Sequence, residues 1–341
     1  MKPLAGNQTQ ASARLVVNDL AVAFSVAGSG LFARRVAVRA VDGVSFHIDA
    51  GEVVALVGES GCGKTSLARA IAGLVRPSRG RVWLDGSDVT GFPPHLPAPV
   101  RAAVQMVFQD PFESLNPRKT VLATLSQPLR LHRIVAAGDM RAEAARLLRL
   151  TGLPEDALTR YPHEFSGGQR QRIGIARAIA PRPRLLIADE AVSALDISIR
   201  AQLLALLSDL KRELALSMLF ITHDLGVVRS FADRVLVMYL GRVVEEGPTE
   251  TVFATPRHPY TQALLAATPI PDPVAARATK RMILGGDVPN PRAIPPGCRF
   301  HPRCPLALAR CATEEPSRRV LAPAVAASCH LIETGVADAT H

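Results

Sequence analysis

The stretch from Gly58 to Ser66 does most to limit what this chain can fold into. It reads Gly58-Glu59-Ser60-Gly61-Cys62-Gly63-Lys64-Thr65-Ser66 and fits G-x-x-x-x-G-K-[ST] at every fixed position. Val53 to Val57 before it is short, apolar and β-branched, as a buried parallel strand should be. Leu67 to Ala72 after it favours helix. Strand, glycine-rich turn and helix in that order make a phosphate cradle. The glycines let successive backbone N–H groups face inward at the positive end of a helix. In that frame Lys64 reaches the β- and γ-phosphates of a nucleoside triphosphate, and the Thr65 hydroxyl holds Mg²⁺. A chance glycine-rich turn would lack this combination of strand, helix and Lys-Thr pair.

Other apolar runs end in polar groups that suit the same chemistry. Val104 to Phe108 reads as a strand ending at Gln109, whose amide fits Mg²⁺ or an attacking water; alone it would be an ordinary loop residue. Leu185 to Ala188 is a buried strand that delivers Asp189 and Glu190 at its carboxyl end, where ligands sit in open α/β sheets. Asp189 suits a Mg²⁺ contact and Glu190 a general base orienting water at the γ-phosphate. Met218 to Ile221 is a further buried strand, and it delivers His223 as a γ-phosphate contact. Ser166-Gly167-Gly168-Gln169 opens a helix running through Ala180. It is either a plain N-cap or a second anion cradle of hydroxyl and backbone N–H groups.

Around these segments the chain divides simply. Residues 1 to 13 read as a disordered lead-in. Leu15 to Val17, Ala21 to Phe24, Val36 to Val41 and Val44 to Ile48 read as an antiparallel β layer ahead of the phosphate loop. Phe24 either stacks on an adenine ring or packs in the core. Residues 91 to 99, with four prolines, form an irregular connector, and residues 112 to 160 are mostly helical. No stretch of about 18 apolar residues lacks a charge, so no segment reads as a membrane span. The polar start lacks a signal-peptide core, so a cytosolic protein is expected. The net charge of +10 comes without a block of basic residues, and aromatics are only 4%. Both features argue against a nucleic-acid binder.

With its motifs in this order, the chain resembles the ATP-binding cassette ATPases over roughly residues 14 to 250. The phosphate loop, Gln109 as the glutamine loop, Ser166 to Arg170 as the signature, Glu190, Ser193 to Asp196 as the D-loop and His223 as the switch histidine carry the likeness. Ala191-Val192 departs from the proline that many members carry after the glutamate, without removing a reactive group. The resemblance implies an α/β P-loop NTPase fold with an antiparallel β subdomain, an inserted helical subdomain at about 112–172, and a small Cys-containing C-terminal extension. It implies ATP and Mg²⁺ as ligands, with Asp196 of the D-loop also at the nucleotide. It further implies head-to-tail pairing, so that Ser166, Gly167, Gly168 and Gln169 cover a partner's ATP.

The tail narrows the likeness. Pro256 to Leu265 contains His258-Pro259-Tyr260, and Gly285 to Pro291 and Pro296 to Pro305 follow; all three resemble the C-terminal region of oligopeptide and dipeptide importer ATPases. The Gly28 to Arg35 loop and Cys62 resemble the second ATPase of such pairs. The implied division is a cassette over 14–255 and a C-terminal region over 256–341. The implied partners are a second, paralogous ATPase in a heterodimer, two transmembrane permease subunits and, indirectly, an extracytoplasmic peptide-binding protein, with no nucleic acid. The implied place is the cytoplasmic face of the inner membrane. Import of another solute such as nickel chelates is the alternative, and a non-transport role on nucleic acid or ribosomes the remoter one.

Cys298, Cys304, Cys311 and Cys329 crowd the tail, and a cytosolic chain rarely uses such a group for disulfides. Their intervals fit neither paired zinc-ribbon spacing nor the ferredoxin run. A [4Fe–4S] cluster, Zn²⁺ and free thiols stay open on spacing alone. Arg299, Arg303 and Arg310 beside the cysteines would offset the charge of cluster thiolates, and His301 and His330 could serve as substitute ligands; the peptide-importer resemblance implies the iron–sulfur cluster.

Overall fold

The computed structural model describes residues 13–26, 36–91, 97–110, 115–192, 196–267, 289–290 and 292–334. Residues 1–12, the Gly28 to Arg35 loop, Ser193 to Leu195 and Gly285 to Val288 lie outside the described residues.

Strands β1 (Ala13–Val26), β2 (Val36–Asp49) and β3 (Val53–Val57) lead to helix α1 (Lys64–Ile71). Then come β4 (Arg79–Leu84), β5 (Ser87–Asp88), α2 (Ala98–Ala103) and β6 (Val104–Val107). Among the described residues, helices α3 (Val121–Leu131), α4 (Met140–Leu150) and α5 (Gly167–Ile179) follow before β7 (Leu185–Asp189). Next are α6 (Ile197–Leu214), β8 (Ser217–Ile221), α7 (Leu225–Phe231), β9 (Arg234–Tyr239) and β10 (Arg242–Pro248). The chain finishes with α8 (Thr249–Ala254), α9 (Pro259–Ala267), β11 (Arg319–Ala322) and β12 (Val325–Ala327).

The strands form two sheets. The smaller is antiparallel, ordered β2-β1-β4-β5; the larger is ordered β11-β12-β10-β9-β3-β8-β7-β6. From β9 to β6 the larger sheet is parallel, so β3, β8, β7 and β6 end side by side at one edge. Every residue of β3, β7 and β8 is buried, because both faces of this sheet are covered. Alternate residues feed two cores. Val53, Ala55 and Val57 join the helices α3, α4 and α5, which bury Leu125, Leu129, Leu147, Leu148 and Ile173. Val54 and Leu56 join the small sheet and α1, with Leu15, Val17, Phe46, Leu67 and Ile71.

The expected antiparallel layer is present, but its four runs are two continuous strands. Asp19, with φ of 48°, and Gly43, with φ of 75°, sit at register shifts that break the apolar pattern without ending the pairing. Ala13 pairs with Asp49 as the first residue of β1, so the strand starts inside the expected lead-in. The proline-rich connector gives way to α2 at Ala98, because Pro in the first turn of a helix removes no needed N–H. In the tail, β12 pairs with β10, and β11 with β12, which extends the main sheet. Arg318 forms an ion pair with the buried carboxylate of Glu246 on β10.

Candidate nucleotide site

The phosphate loop is fixed by close backbone packing on both sides. A Cβ at Gly58 would sit 2.2 Å from the Met238 carbonyl oxygen, and one at Gly63, where φ is 108°, 2.0 Å from that of Ala40. Only glycine fits either place. The Cys62 carbonyl accepts a bond from the Gly241 N–H at 2.8 Å, and burial pushes the Cys62 thiol up, so this side chain anchors the loop as an uncharged thiol. Lys64 opens α1 and is buried. Its ammonium donates to the carbonyls of Gly58 and Glu59 at 2.8 and 2.9 Å, which holds the charge over the loop. Ser60 and Gly61 are exposed, and Ser66 is half-buried.

The neighbouring strand ends bring the expected polar groups to the loop. Thr65 Oγ1 donates to Asp189 Oδ1 at 3.2 Å. Burial raises the Asp189 carboxyl above its usual range, with Glu190 adding to the rise and the Thr65 bond, Arg69 and Lys64 opposing it. A buried carboxylate facing a hydroxyl, with too little positive charge nearby, is a fitting donor pair for Mg²⁺. Glu190 has φ of 48°, uncommon for a residue with a side chain, and its N–H donates to Ile221 O at 3.0 Å. Its carboxylate accepts from Gln109 Nε2 at 2.9 Å and lies 3.5 Å from His223 Nδ1. Gln109, Glu190 and His223 thus meet from three adjacent strand ends. Ala191 and Val192 behind Glu190 are buried.

Three expected groups stand apart. Ser166 caps α5: its hydroxyl accepts from Gln169 N–H at 3.3 Å, and Gln169 Oε1 accepts from Ser166 N–H at 3.0 Å. This capping box is exposed, and its side-chain bonds run between Ser166 and Gln169 rather than to Lys64, Asp189 or Glu190. Gly168 packs on α6, since a Cβ there would meet Ile199 Cγ2 at 2.7 Å; Gly167 is half-buried. Asp196 is exposed just before α6, and its carbonyl accepts from Arg200 N–H at 2.9 Å. Phe24 sits on β1 opposite Val38 and is 39% exposed, so it is not a core residue.

The tail reaches the loop through two residues, Tyr260 and Arg303, whose link to the loop the sequence did not suggest. In His258-Pro259-Tyr260, the His258 Nδ1 accepts from Tyr260 N–H at 3.0 Å and Pro259 opens α9. The buried Tyr260 hydroxyl accepts from the Glu59 N–H at 2.9 Å. Arg303 grips the Glu59 carboxylate with both terminal nitrogens, at 2.7 and 3.0 Å. The usable signal was an acid at a variable loop position together with an arginine in the cysteine-rich tail.

All five cysteines are free thiols. Burial pushes Cys304 and Cys329 up to about 11, and at Cys329 the other three tail thiols add to the rise. The four therefore share one neighbourhood. No group of three or more His, Cys, Asp and Glu among the described residues is arranged to hold a metal ion, so neither the iron–sulfur nor the zinc expectation finds support in this geometry. The arginines have other partners than expected: Arg299 pairs with Asp42, Arg303 with Glu59 and Arg310 with His330 Nδ1. His330 Nε2 faces the Glu314 carbonyl at 2.9 Å, so both its nitrogens are engaged, and His301 Nδ1 faces the Cys298 carbonyl at 2.8 Å. Neither is a free substitute ligand at these nitrogens.

The profile described as "ABC transporter" matches residues 41–193, and that described as "Oligopeptide/dipeptide transporter, C-terminal region" matches residues 244–311. A probable peptide ABC transporter ATP-binding protein of Sinorhizobium fredii is 50% identical over 86% of this chain and 83% of its own length. The chain belongs to the ATP-binding proteins of the peptide ABC transporter family. The oligopeptide transport ATP-binding protein AppF of Bacillus subtilis is 46% identical over 89% of this chain and 93% of its own. OppF of Salmonella typhimurium is 50% identical over 82% and 84%. Among solved structures, CbiO1 of Clostridium perfringens, part of the ABC transporter complex CbiONQ, superposes with a TM-score of 0.60 at 27% identity, covering 71% of this chain and 91% of that one. The ATP-binding cassette MJ0796, in a dimeric post-hydrolysis state bound to ADP and phosphate, also gives 0.60, at 26% identity over 69% and 98%. The ABC nucleotide-binding fold and the ATPase class expected from the motif order are therefore those of this family. Tyr260 falls inside the matched peptide-transporter region, and so does Arg303.

Proposed function

We propose that this chain binds and hydrolyses ATP to power import of oligopeptides or dipeptides through a membrane permease. The observation that carries this reading is the meeting of the phosphate loop, Asp189, Glu190, Gln109 and His223 at one sheet edge, in a chain that also bears the peptide-transporter C-terminal region. Residues 14–255 serve as the cassette and 256–341 as the tail that attaches it to this transporter class.

In this reading Lys64 and the loop N–H groups take the phosphates, and Thr65 with Asp189 would hold Mg²⁺, which supplies charge neutralisation on the β- and γ-oxygens. Glu190 accepts a hydrogen bond from the attacking water and orients it. Gln109 and His223, both bonded to or near that carboxylate, sense the γ-phosphate. Phe24 stacks on the adenine. Ser166 to Gln169 complete the site of a second, paralogous ATPase subunit, and Asp196 lies at the same interface. No helix of the described residues is long and apolar enough to cross a membrane. The chain in this reading sits at the cytoplasmic face of the inner membrane against two permease subunits, with an extracytoplasmic binding protein delivering cargo.

Cys298, Cys304, Cys311 and Cys329 would hold a [4Fe–4S] cluster, which supplies cross-linking of four separate turns of the tail. Four free thiols that share one neighbourhood support this reading. Anaerobic purification followed by an absorbance spectrum and iron and zinc analysis tests this; colourless, metal-free, folded protein counts against it.

For the ATPase, Glu190→Gln is expected to keep ATP binding and lose hydrolysis by about a hundredfold or more in the assembled complex. Robust turnover with both competent sites so altered refutes the assignment. Deleting the gene and measuring uptake of labelled peptides tests the cargo, and unchanged uptake counts against peptide import.

A further inference from the structure

We propose that Arg303 and Tyr260 are positioning residues for ATP binding: from the C-terminal region they lock Glu59, and through it the phosphate loop, in its phosphate-holding shape. The inference rests on the phosphate loop being the ATP site. Glu59 sits at the turn where β3 becomes the loop, next to Gly58, whose packing leaves no room for a side chain. Its two bonds with the tail differ in kind. The N–H donates to Tyr260 Oη, which fixes the plane of the Gly58–Glu59 peptide with its N–H toward the tail. The same peptide's carbonyl, on Gly58, accepts from Lys64. One peptide plane therefore links Tyr260 on one side to the phosphate-binding lysine on the other.

The carboxylate adds a second constraint. Arg303 holds both oxygens in a fork, with its side chain 7% exposed and that of Glu59 23% exposed. Bidentate pairs of this kind set orientation as well as distance. Arg303 is itself rigid. It ends a short 3-10 turn, its N–H donates to Phe300 O at 3.0 Å, and Phe300 packs edge-on against Tyr239 at 5.3 Å. Tyr260 lies 4.6 Å from Tyr239 and 5.4 Å from Phe300, ring centre to ring centre. Both grips on Glu59 thus come from one aromatic cluster. Neither residue touches the phosphates in this scheme; each acts through Glu59.

The test uses the full chain and a fluorescent ATP analogue, with ATPase rates from the assembled complex. Arg303→Ala should weaken nucleotide binding and raise KM for ATP by about tenfold while kcat stays within about twofold. Arg303→Lys, which keeps charge but loses the fork, should fall between. The charge swap Glu59→Arg with Arg303→Glu should recover affinity to within about threefold of wild type. Tyr260→Phe should weaken binding less than Arg303→Ala, since it removes one neutral bond. Should Arg303→Ala fail to fold, Glu59→Ala removes the carboxylate while leaving the tail intact and should give the same KM rise. Unchanged affinity in the folded variants, or a loss that the swap leaves unrepaired, overturns the proposal. Wild-type chain that binds no nucleotide overturns the ATP site itself, and this inference with it.

Discussion

At the scale of single residues, His258 shows how a short motif acquires its chemistry. Its Nδ1 is an acceptor for the Tyr260 N–H, so the ring must be neutral with its proton on Nε2. Burial holds its pKa down to about 3, whereas the unfolded chain titrates near about 6.5. A group with a lowered folded pKa contributes stability that is complete above the unfolded value and is lost as pH falls toward the folded one. At pH 5 about 2 kcal/mol should be gone. Glu245, which accepts from the His258 N–H at 2.9 Å, is pushed up by burial and acts with the opposite sign. The His258 share is isolated by a variant. His258→Asn keeps a capping acceptor but has nothing to protonate, so its thermal midpoint should fall less between pH 7 and pH 5 than that of wild type. Parallel curves would remove His258 from the account. Glu190 makes a related point about legibility. Its place after four apolar residues was readable, but its left-handed backbone and its contacts with Gln109 and His223 were not. Those depend on β6, β7 and β8 being neighbours.

Among elements, the runs of one period were legible and the pairings were not. Val53 to Val57, Leu185 to Asp189 and Ser217 to Ile221 are continuous apolar runs, because a parallel strand covered on both faces needs nothing else. β1 and β2 were harder, since bulges at Asp19 and Gly43 interrupt the alternation that marks a half-buried strand. β11 and β12 gave almost no signal: β11 is exposed at every residue, and β12 is three residues long. Yet β12 covers the edge of β10, and Arg318 pairs with Glu246 there. Arg318→Ala should therefore lower stability by about 1 kcal/mol, the arginine being half exposed, and should speed amide exchange at Glu245 and Glu246. Equal exchange in the two proteins would make β12 alone responsible for covering that edge.

For the whole molecule, the decisive fact is what one chain does not bring together. Ser166 and Gln169 satisfy each other at the start of α5, while Lys64, Thr65, Asp189 and Glu190 gather at the sheet edge. If the second cradle serves another subunit's nucleotide, ATP turnover per chain should rise with protein concentration or on adding a second ATPase subunit, and Ser166→Arg should abolish that rise. Turnover that is independent of dilution would show a self-sufficient site. The clamp on the phosphate loop carries a different consequence, one about time. Glu59 and Arg303 are 244 residues apart in the chain. During synthesis the loop is made early and its last fastening arrives near the end, so a growing chain holds its glycines and Lys64 long before the clamp is closed. Nascent chains cut short before residue 303 should fold their central strands yet grip ATP weakly, so the site matures only once the tail has been made.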